Sequence, residues 1–147
     1  MDEANRRKEY FRKFKNVVLI LLLLLVIGVP TFTYFKVTTE GRFALRGAKN
    51  INMAFQMLSI EYYGKDLSIY NPYRTNGLND GVADRLADVT ENRGEVRLLS
   101  YDTKTRTVYK FTYETNNVRV TYTLKDGDIN QWKVDYLWNI WIYDGDN

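Results

Sequence analysis

The sequence contains neither cysteine nor histidine. Without cysteine there is no disulfide framework and no thiolate metal site, and without histidine the commonest general base and transition-metal ligand are missing. The three serines, Ser59, Ser68 and Ser100, all lie outside a Gly-x-Ser-x-Gly nucleophile motif. These absences argue against an enzyme, and we predict no catalytic residue, cofactor, metal site or small-molecule substrate.

A basic excess on the folded part of the chain is also missing, although the net charge is +3. Residues 1–35 contain six basic and three acidic side chains, whereas residues 36–147 contain fifteen of each sign. Because the positive charge is confined to the N-terminal segment, nucleic-acid binding is not predicted.

Residues 17–35 form a long apolar run of 19 residues without a charge. As a helix the run spans roughly 28 Å, which is close to the thickness of the hydrocarbon layer of a bilayer. The basic residues lie directly before it, so the positive-inside rule places residues 1–16 in the cytoplasm and residues 36–147 outside. We therefore predict a single-pass anchor in the cytoplasmic membrane. Its marker residues are Val17, Leu21, Leu25, Gly28, Pro30 and Tyr34.

Two other interpretations of the apolar run remain open. A cleaved export signal has the same basic start, but it needs small residues before the cleavage site, and bulky residues follow Leu25. A buried helix of a soluble domain would carry polar residues at every third or fourth position, and this run has none. We favour the uncleaved anchor, with Pro30 bending the helix and Tyr34 at the membrane interface.

Residues 36–63 predict an amphipathic helix that continues the anchor, with Gly64 as a left-handed cap. Apolar residues recur at spacings of four and three, which places them on one face of a helix. The predicted stripe, which we expect to pack on a sheet, is Ala44, Ala48, Ile51, Phe55, Leu58 and Tyr62.

Residues 64–94 predict a loop with a short helix that Asp80 caps. Four oxygen-bearing side chains in this loop suggest calcium, but their spacing differs from an EF-hand and turns use the same residues. These residues are Asn76, Asn79, Asp80 and Asp84. An enzyme would have to rest on the Asp80 and Asp84 carboxylates, which are as typical of a solvated helix face. We favour turns and caps.

From Glu95 the apolar period changes to two, which predicts a four-stranded antiparallel meander over residues 95–147. Hairpin turns are predicted at 102–105, 116–117 and 126–127. One face carries Tyr109, Phe111 and Tyr113 and, in the last strand, Trp132, Val134, Tyr136, Trp138, Ile140 and Ile142. Leu137 and Trp141 would point the other way, either as a contact for a partner or covered by the 64–94 loop. The predicted class is α+β: a transmembrane helix that continues into an amphipathic helix packed on this sheet.

This order of elements resembles that of type IV pilins and of the pseudopilins of type II secretion. The segments "VIGVPTFTYF" and "ALRGAKNINMAFQMLSIEYYG" are similar to the proline-containing membrane segment and the outer spine of a pilin. The resemblance implies a structural or accessory subunit that contacts lipid and other membrane or pilin-like subunits.

The N-terminus departs from the pilin pattern. With Pro30 aligned to the family's proline, Lys13 falls where pilins carry a glutamate, and Lys8 and Glu9 fall at the processing site. Prepilin processing is therefore not implied. A membrane-tethered binding module unrelated to pili stays open as the alternative, with the aromatic sheet and the 64–94 loop as its site.

Overall fold

The computed structural model describes residues 3–90, 94–125 and 129–137, and the chain divides into two units, residues 1–39 and 40–147. It confirms the α+β class, with one long helix that is apolar near the N-terminus and a four-stranded antiparallel sheet. The helices are α1 (Glu3–Tyr63) and α2 (Val82–Thr90). The strands are β1 (Glu95–Asp102), β2 (Thr107–Thr115), β3 (Val118–Lys125) and β4 (Ile129–Tyr136), and they lie in this order in the sheet.

In the second unit, one stripe of α1 lies in the hydrophobic core. All six stripe residues are buried there, from Ala44 to Tyr62, and Ala54 is buried with them. Gly41 and Gly47 are also buried. A Cβ on Gly41 would overlap the hydroxyl of Tyr136 on β4, so a glycine here lets α1 approach the sheet closely. Gly41, which would weaken an isolated helix, therefore serves the packing of α1 on the sheet.

The C-terminal end of α1 differs from the prediction. The left-handed residue is Asp66, with φ 55°, and not Gly64. The Leu67 amide donates to the Tyr62 carbonyl at 2.9 Å and the Asp66 amide to the Tyr63 carbonyl at 3.1 Å. This pair of bonds is a Schellman motif displaced by two residues, and aspartate is one of the few residues that adopt its left-handed position readily.

The segment after α1 packs on the core instead of forming a loose surface loop. Tyr70 and Leu78 form an antiparallel β-bridge, and the Asn79 side chain donates to the Ser68 carbonyl at 2.9 Å. Four residues of this segment are buried with the α1 stripe: Ile69, Leu78, Val82 and Leu86. Burial of four aliphatic side chains, each contributing about 1.5–3 kcal/mol, fixes the segment against the sheet.

Asp80 does not cap α2 as predicted. Its carboxylate forms an ion pair with Arg74, and α2 begins two residues later, at Val82. The residue before α2 is Gly81, with φ +75°. The Asp80 carboxylate therefore binds Arg74 and not the amides at the start of α2.

The sheet places alternate residues of β2 and β3 in the core, as the period of two predicts, with one exception. Phe111 and Tyr113 are buried, but Tyr109 is exposed and Val108 takes the inward position. The β1–β2 register shifts on both sides of Ser100, which opposes Lys110. This bulge turns Tyr109 outward because an extra residue reverses the face that the strand presents.

The last strand is described only in part. β4 ends at Tyr136, and the predicted strand residues Trp138, Ile140 and Ile142 lie outside the described residues. The same holds for Trp141 and for the predicted turn at 126–127. Asn116, with φ 51°, and Asn117 form the predicted two-residue turn between β2 and β3.

Candidate functional site

The apolar segment of α1 is exposed along its whole length. α1 is long and apolar enough to cross a membrane, and none of its most apolar 18-residue window is buried. The six anchor markers, Val17, Leu21, Leu25, Gly28, Pro30 and Tyr34, are all exposed. This pattern of burial differs from that of a helix in a protein core, most of which would be buried.

Polar atoms within the apolar segment are bonded inside the helix. The Thr31 hydroxyl donates to the Ile27 carbonyl at 2.7 Å, and the Thr33 hydroxyl donates to the Val29 carbonyl at 2.8 Å. α1 continues through Pro30 without interruption. An unpaired hydroxyl group in hydrocarbon raises the free energy by several kcal/mol. The two intrahelical hydrogen bonds remove that cost.

A second apolar surface lies on the side of α1 that faces away from the core in the second unit. Met53, Met57 and Ile60 are 56%, 64% and 65% exposed, and their spacing of four and three places them on one helix face. We call these three residues the outer stripe. The outer stripe was not predicted from the sequence, because the inward stripe is longer and more regular. The signal in the sequence is the spacing of four and three between Met53, Met57 and Ile60, which is that of one helix face.

Two open depressions between α1 and the sheet have one lining residue in common, and together we call them the polar groove. One part, of 320 Å³, is lined by Asn52 and Gln56 of α1 and by Asn130 of β4, among others. A second part, of 280 Å³, is lined by Ser59 and Tyr63. Arg106 lines both parts, and its guanidinium carbon lies 4.5 Å from the centre of the Tyr63 ring. The Asp66 carboxylate lines the second part as well, so the two parts present amide and hydroxyl groups, one cation and one anion to a polar ligand.

The charged side chains near the end of α1 are paired at the surface. Hydrogen bonds from Lys65, at 2.9 Å, and from Arg85, at 3.2 Å, lower the pKa of the Glu61 carboxyl. The bond from Arg85 joins α2 to α1. In the β1–β2 turn, the Lys104 amide and the Thr105 hydroxyl lower the pKa of Asp102. Both carboxyls are thus held ionised by their turn and helix partners, and neither lies in the groove.

The four oxygen-bearing residues of the 64–94 segment already have structural partners or face solvent. Asn76 accepts from the Leu78 amide at 3.1 Å, Asn79 accepts from the Asp80 amide at 2.9 Å, and Asp80 pairs with Arg74. Asp84 is exposed on the first turn of α2. Within residues 3–90, 94–125 and 129–137 no group of three acidic side chains could hold a metal ion.

Of the two residues predicted to contact a partner, Leu137 and Trp141, the structure describes only Leu137. Leu137 follows β4, is half-buried, and donates its amide to the Asn117 carbonyl at 2.6 Å. Trp141 lies outside the described residues.

Comparisons with known proteins add no relative to this picture. No family model, no curated protein and no solved structure matches the chain.

Proposed function

We propose that the protein is a single-pass subunit of the cytoplasmic membrane that acts through protein–protein contacts. In this proposal the apolar part of α1 lies in lipid, residues 1–16 lie in the cytoplasm, and residues 36–147 lie outside. The function is structural: a minor or accessory component of a pilus-like or type II secretion-like assembly.

The observation that carries the proposal is the uncovered apolar length of α1. Every leucine within residues 19–25 of the apolar run is more than half exposed. Burying each such side chain in an apolar phase yields about 1.5–3 kcal/mol, so water is an unfavourable medium for this segment. A bilayer, or the apolar helices of neighbouring subunits within it, supplies the missing environment.

The pilin-like part of the proposal is supported by architecture alone. α1 runs from the apolar segment into a helix that packs on an antiparallel meander. Lys13, at the position where pilins carry a glutamate, forms an exposed ion pair with Glu9 at 3.4 Å. The proposal therefore assigns no contact between position 13 and the amino terminus of a neighbour, and it relies on the outer stripe instead.

The proposal predicts contact between copies along α1 in native membranes. Because the sequence contains no cysteine, a single introduced cysteine is the only thiol in the chain that can form a cross-link. We expect a Met57→Cys variant to form disulfide-linked or short-linker dimers, because Met57 lies on the outer stripe. A Leu21→Cys variant probes the same helix within lipid. The measurement is the dimer fraction on a non-reducing gel.

The matched control is Lys110→Cys, an exposed position on β2, which should remain monomeric. Monomers at both Leu21→Cys and Met57→Cys would contradict lateral association through α1. Equal yields at Lys110 and Met57 would show random collision and would contradict it as well.

The polar groove favours one alternative function, a membrane-tethered binding module for a peptide or glycan. This alternative predicts that the full chain in detergent binds an acidic peptide or a neutral oligosaccharide at micromolar strength. Arg106→Ala should then weaken binding about tenfold, since charge-assisted hydrogen bonds are among the stronger ones. Arg97→Ala, at an arginine outside the groove that pairs with Glu95, is the control. Absence of binding to both probes speaks against the module.

A further inference from the structure

The exposed face of α1 in the second unit contains one polar residue in line with the outer stripe. Asn50 lies three residues before Met53 and is exposed. With the outer stripe it gives spacings of three, four and three, which are the a and d spacings of a heptad repeat. We call these four residues, Asn50, Met53, Met57 and Ile60, the seam. Residues at a and d are those through which two helices pack in a coiled coil.

The seam faces away from the sheet. The buried stripe from Ala44 to Tyr62 packs in the core, and at 3.6 residues per turn the seam lies roughly half a turn around the helix from it. Two copies joined along their seams therefore have their sheets on opposite outer sides of the helix pair. In this arrangement neither sheet obstructs the contact between the helices.

The proposed function determines the direction of two paired helices. In it, each copy crosses the membrane with residues 1–16 on the cytoplasmic side, and α1 is unbroken from Glu3 to Tyr63. Two copies that pair along α1 therefore run parallel. A copy paired in the opposite direction would direct its apolar segment away from the membrane.

We propose that a second copy of the chain packs on the seam, as a parallel and in-register helix pair around a twofold axis. Each seam residue then faces its own counterpart, Asn50 against Asn50 and Met57 against Met57. This inference rests on the proposed function and adds the symmetry and the register of its helix contact. Because both copies use the same surface, the pair is closed, and further copies cannot add through the seam.

Asn50 favours this register over the alternatives. In register, the two side-chain amides meet, and each can donate a hydrogen bond to the carbonyl oxygen of the other. A shift by one turn or by one heptad would place each amide against Met53 or Met57, where an unpaired polar group destabilises the contact. A single asparagine at an a position specifies the register and the number of helices of a coiled coil, at a cost in stability.

The residues beside the seam are compatible with a second copy. A parallel register brings Lys49 next to Ala54 and Gln56 next to Glu61 of the second copy, and neither pair carries like charges. Toward the membrane the seam ends at Arg46, which occupies the next position of the pattern. Two arginines that face each other repel, so the contact begins at Asn50.

The seam is short, with about three turns of helix from Asn50 to Ile60. Such a contact is smaller than the about 1,200 Å² that stable complexes between free proteins bury. The membrane offsets this difference, because anchored copies share one surface and one direction, which raises their effective concentration. The pair is therefore expected in membranes, and the test belongs there.

Single cysteines in the full chain, in native membranes, test the register. Met53→Cys and Met57→Cys should each give disulfide-linked dimers under mild oxidation, because facing seam residues approach within the about 7 Å between Cα atoms that a disulfide allows. Gln56→Cys is the matched control. Gln56 is also exposed and precedes Met57, but it lies beside the seam, so its two copies are too far apart for a disulfide. This variant should stay monomeric.

A second variant tests whether the two Asn50 residues face each other. Asn50→Asp in the Met57→Cys background changes little in size but places two carboxylates in contact across the axis. The yield of linked dimer should fall by about tenfold, because like charges in a contact repel. Asn52→Asp makes the same change two residues further along α1, outside the seam, and should leave the yield unchanged.

Three results would overturn the seam. The first is linkage at Leu21→Cys without linkage at positions 53 and 57, which would leave lateral association through α1 intact. The second is equal linkage at positions 56 and 57. The third is a disulfide from position 57 to a different protein, which would assign the seam to another partner. Monomers at position 21 as well as at 53 and 57 would contradict the proposed function together with the seam.

Discussion

Arginine at both Leu21 and Leu25 is expected to release the protein from membranes. The two positions lie one helical turn apart in the first half of the apolar segment, and both leucines are exposed. Each arginine costs about 2.5–3.5 kcal/mol at the centre of a membrane helix, so the pair costs on the order of 6 kcal/mol. The measurement is the fraction of protein that stays in the membrane pellet after extraction at alkaline pH.

The control adds the same two charges to the same helix, outside the apolar run. Phe11 and Phe14 are exposed on the basic segment, and their replacement by arginine should leave membrane association intact. Mass spectrometry of the membrane-purified protein completes the test, since an anchor that is not cleaved keeps its original N-terminus. A doubly substituted protein that resists extraction, or a wild-type product trimmed just past Pro30, would refute the anchor.

Replacing Gly77 by alanine is expected to lower the free energy of unfolding of the second unit by about 3 kcal/mol. Gly77 has φ +67°, and a Cβ there would overlap the Leu98 carbonyl oxygen. The left-handed backbone alone costs alanine about 1–2 kcal/mol, and the overlap with a backbone atom of β1 adds to it. The readout is thermal unfolding of the full chain in detergent, with a fall in Tm on the order of 10 °C.

Gly81→Ala separates the two causes. Gly81 has a similar φ of +75°, but the nearest atom to an added Cβ is the Tyr62 hydroxyl at 3.5 Å, which is ordinary contact. This variant should lose only about 1 kcal/mol, the backbone cost partly offset by a less flexible unfolded chain. Equal losses at the two glycines would show that the packing of the 76–78 segment against β1 has no energetic role.

The periodic parts of the fold could be predicted from the sequence because burial imposes the period. The 4–3 spacing from Ala44 to Tyr62 identified the buried face of α1, and the period of two identified β3, in which Val118, Val120 and Tyr122 are buried. The two-residue turn at Asn116 follows from the ease with which asparagine adopts a positive φ. In each case a local pattern is sufficient because the side chains on one face share a single environment.

The remaining features depend on contacts between residues distant in sequence. Nothing local marks Asp80 as the partner of Arg74 or Asp66 as the left-handed residue that ends α1. The bulge opposite Ser100 depends on how β1 meets β2, so the outward position of Tyr109 could not be read from alternation. The groove around Arg106 likewise appears only after α1 and the β1–β2 turn have been placed together.

The contact of Asn76 and Gly77 with Leu98 affects whether further strands can add to the sheet. A sheet whose two sides were both available could add copies without limit and form a fibre, as unprotected strands do. Here one side is closed by the protein's own chain. The β1 edge can therefore accept a further strand only after this segment has left Leu98.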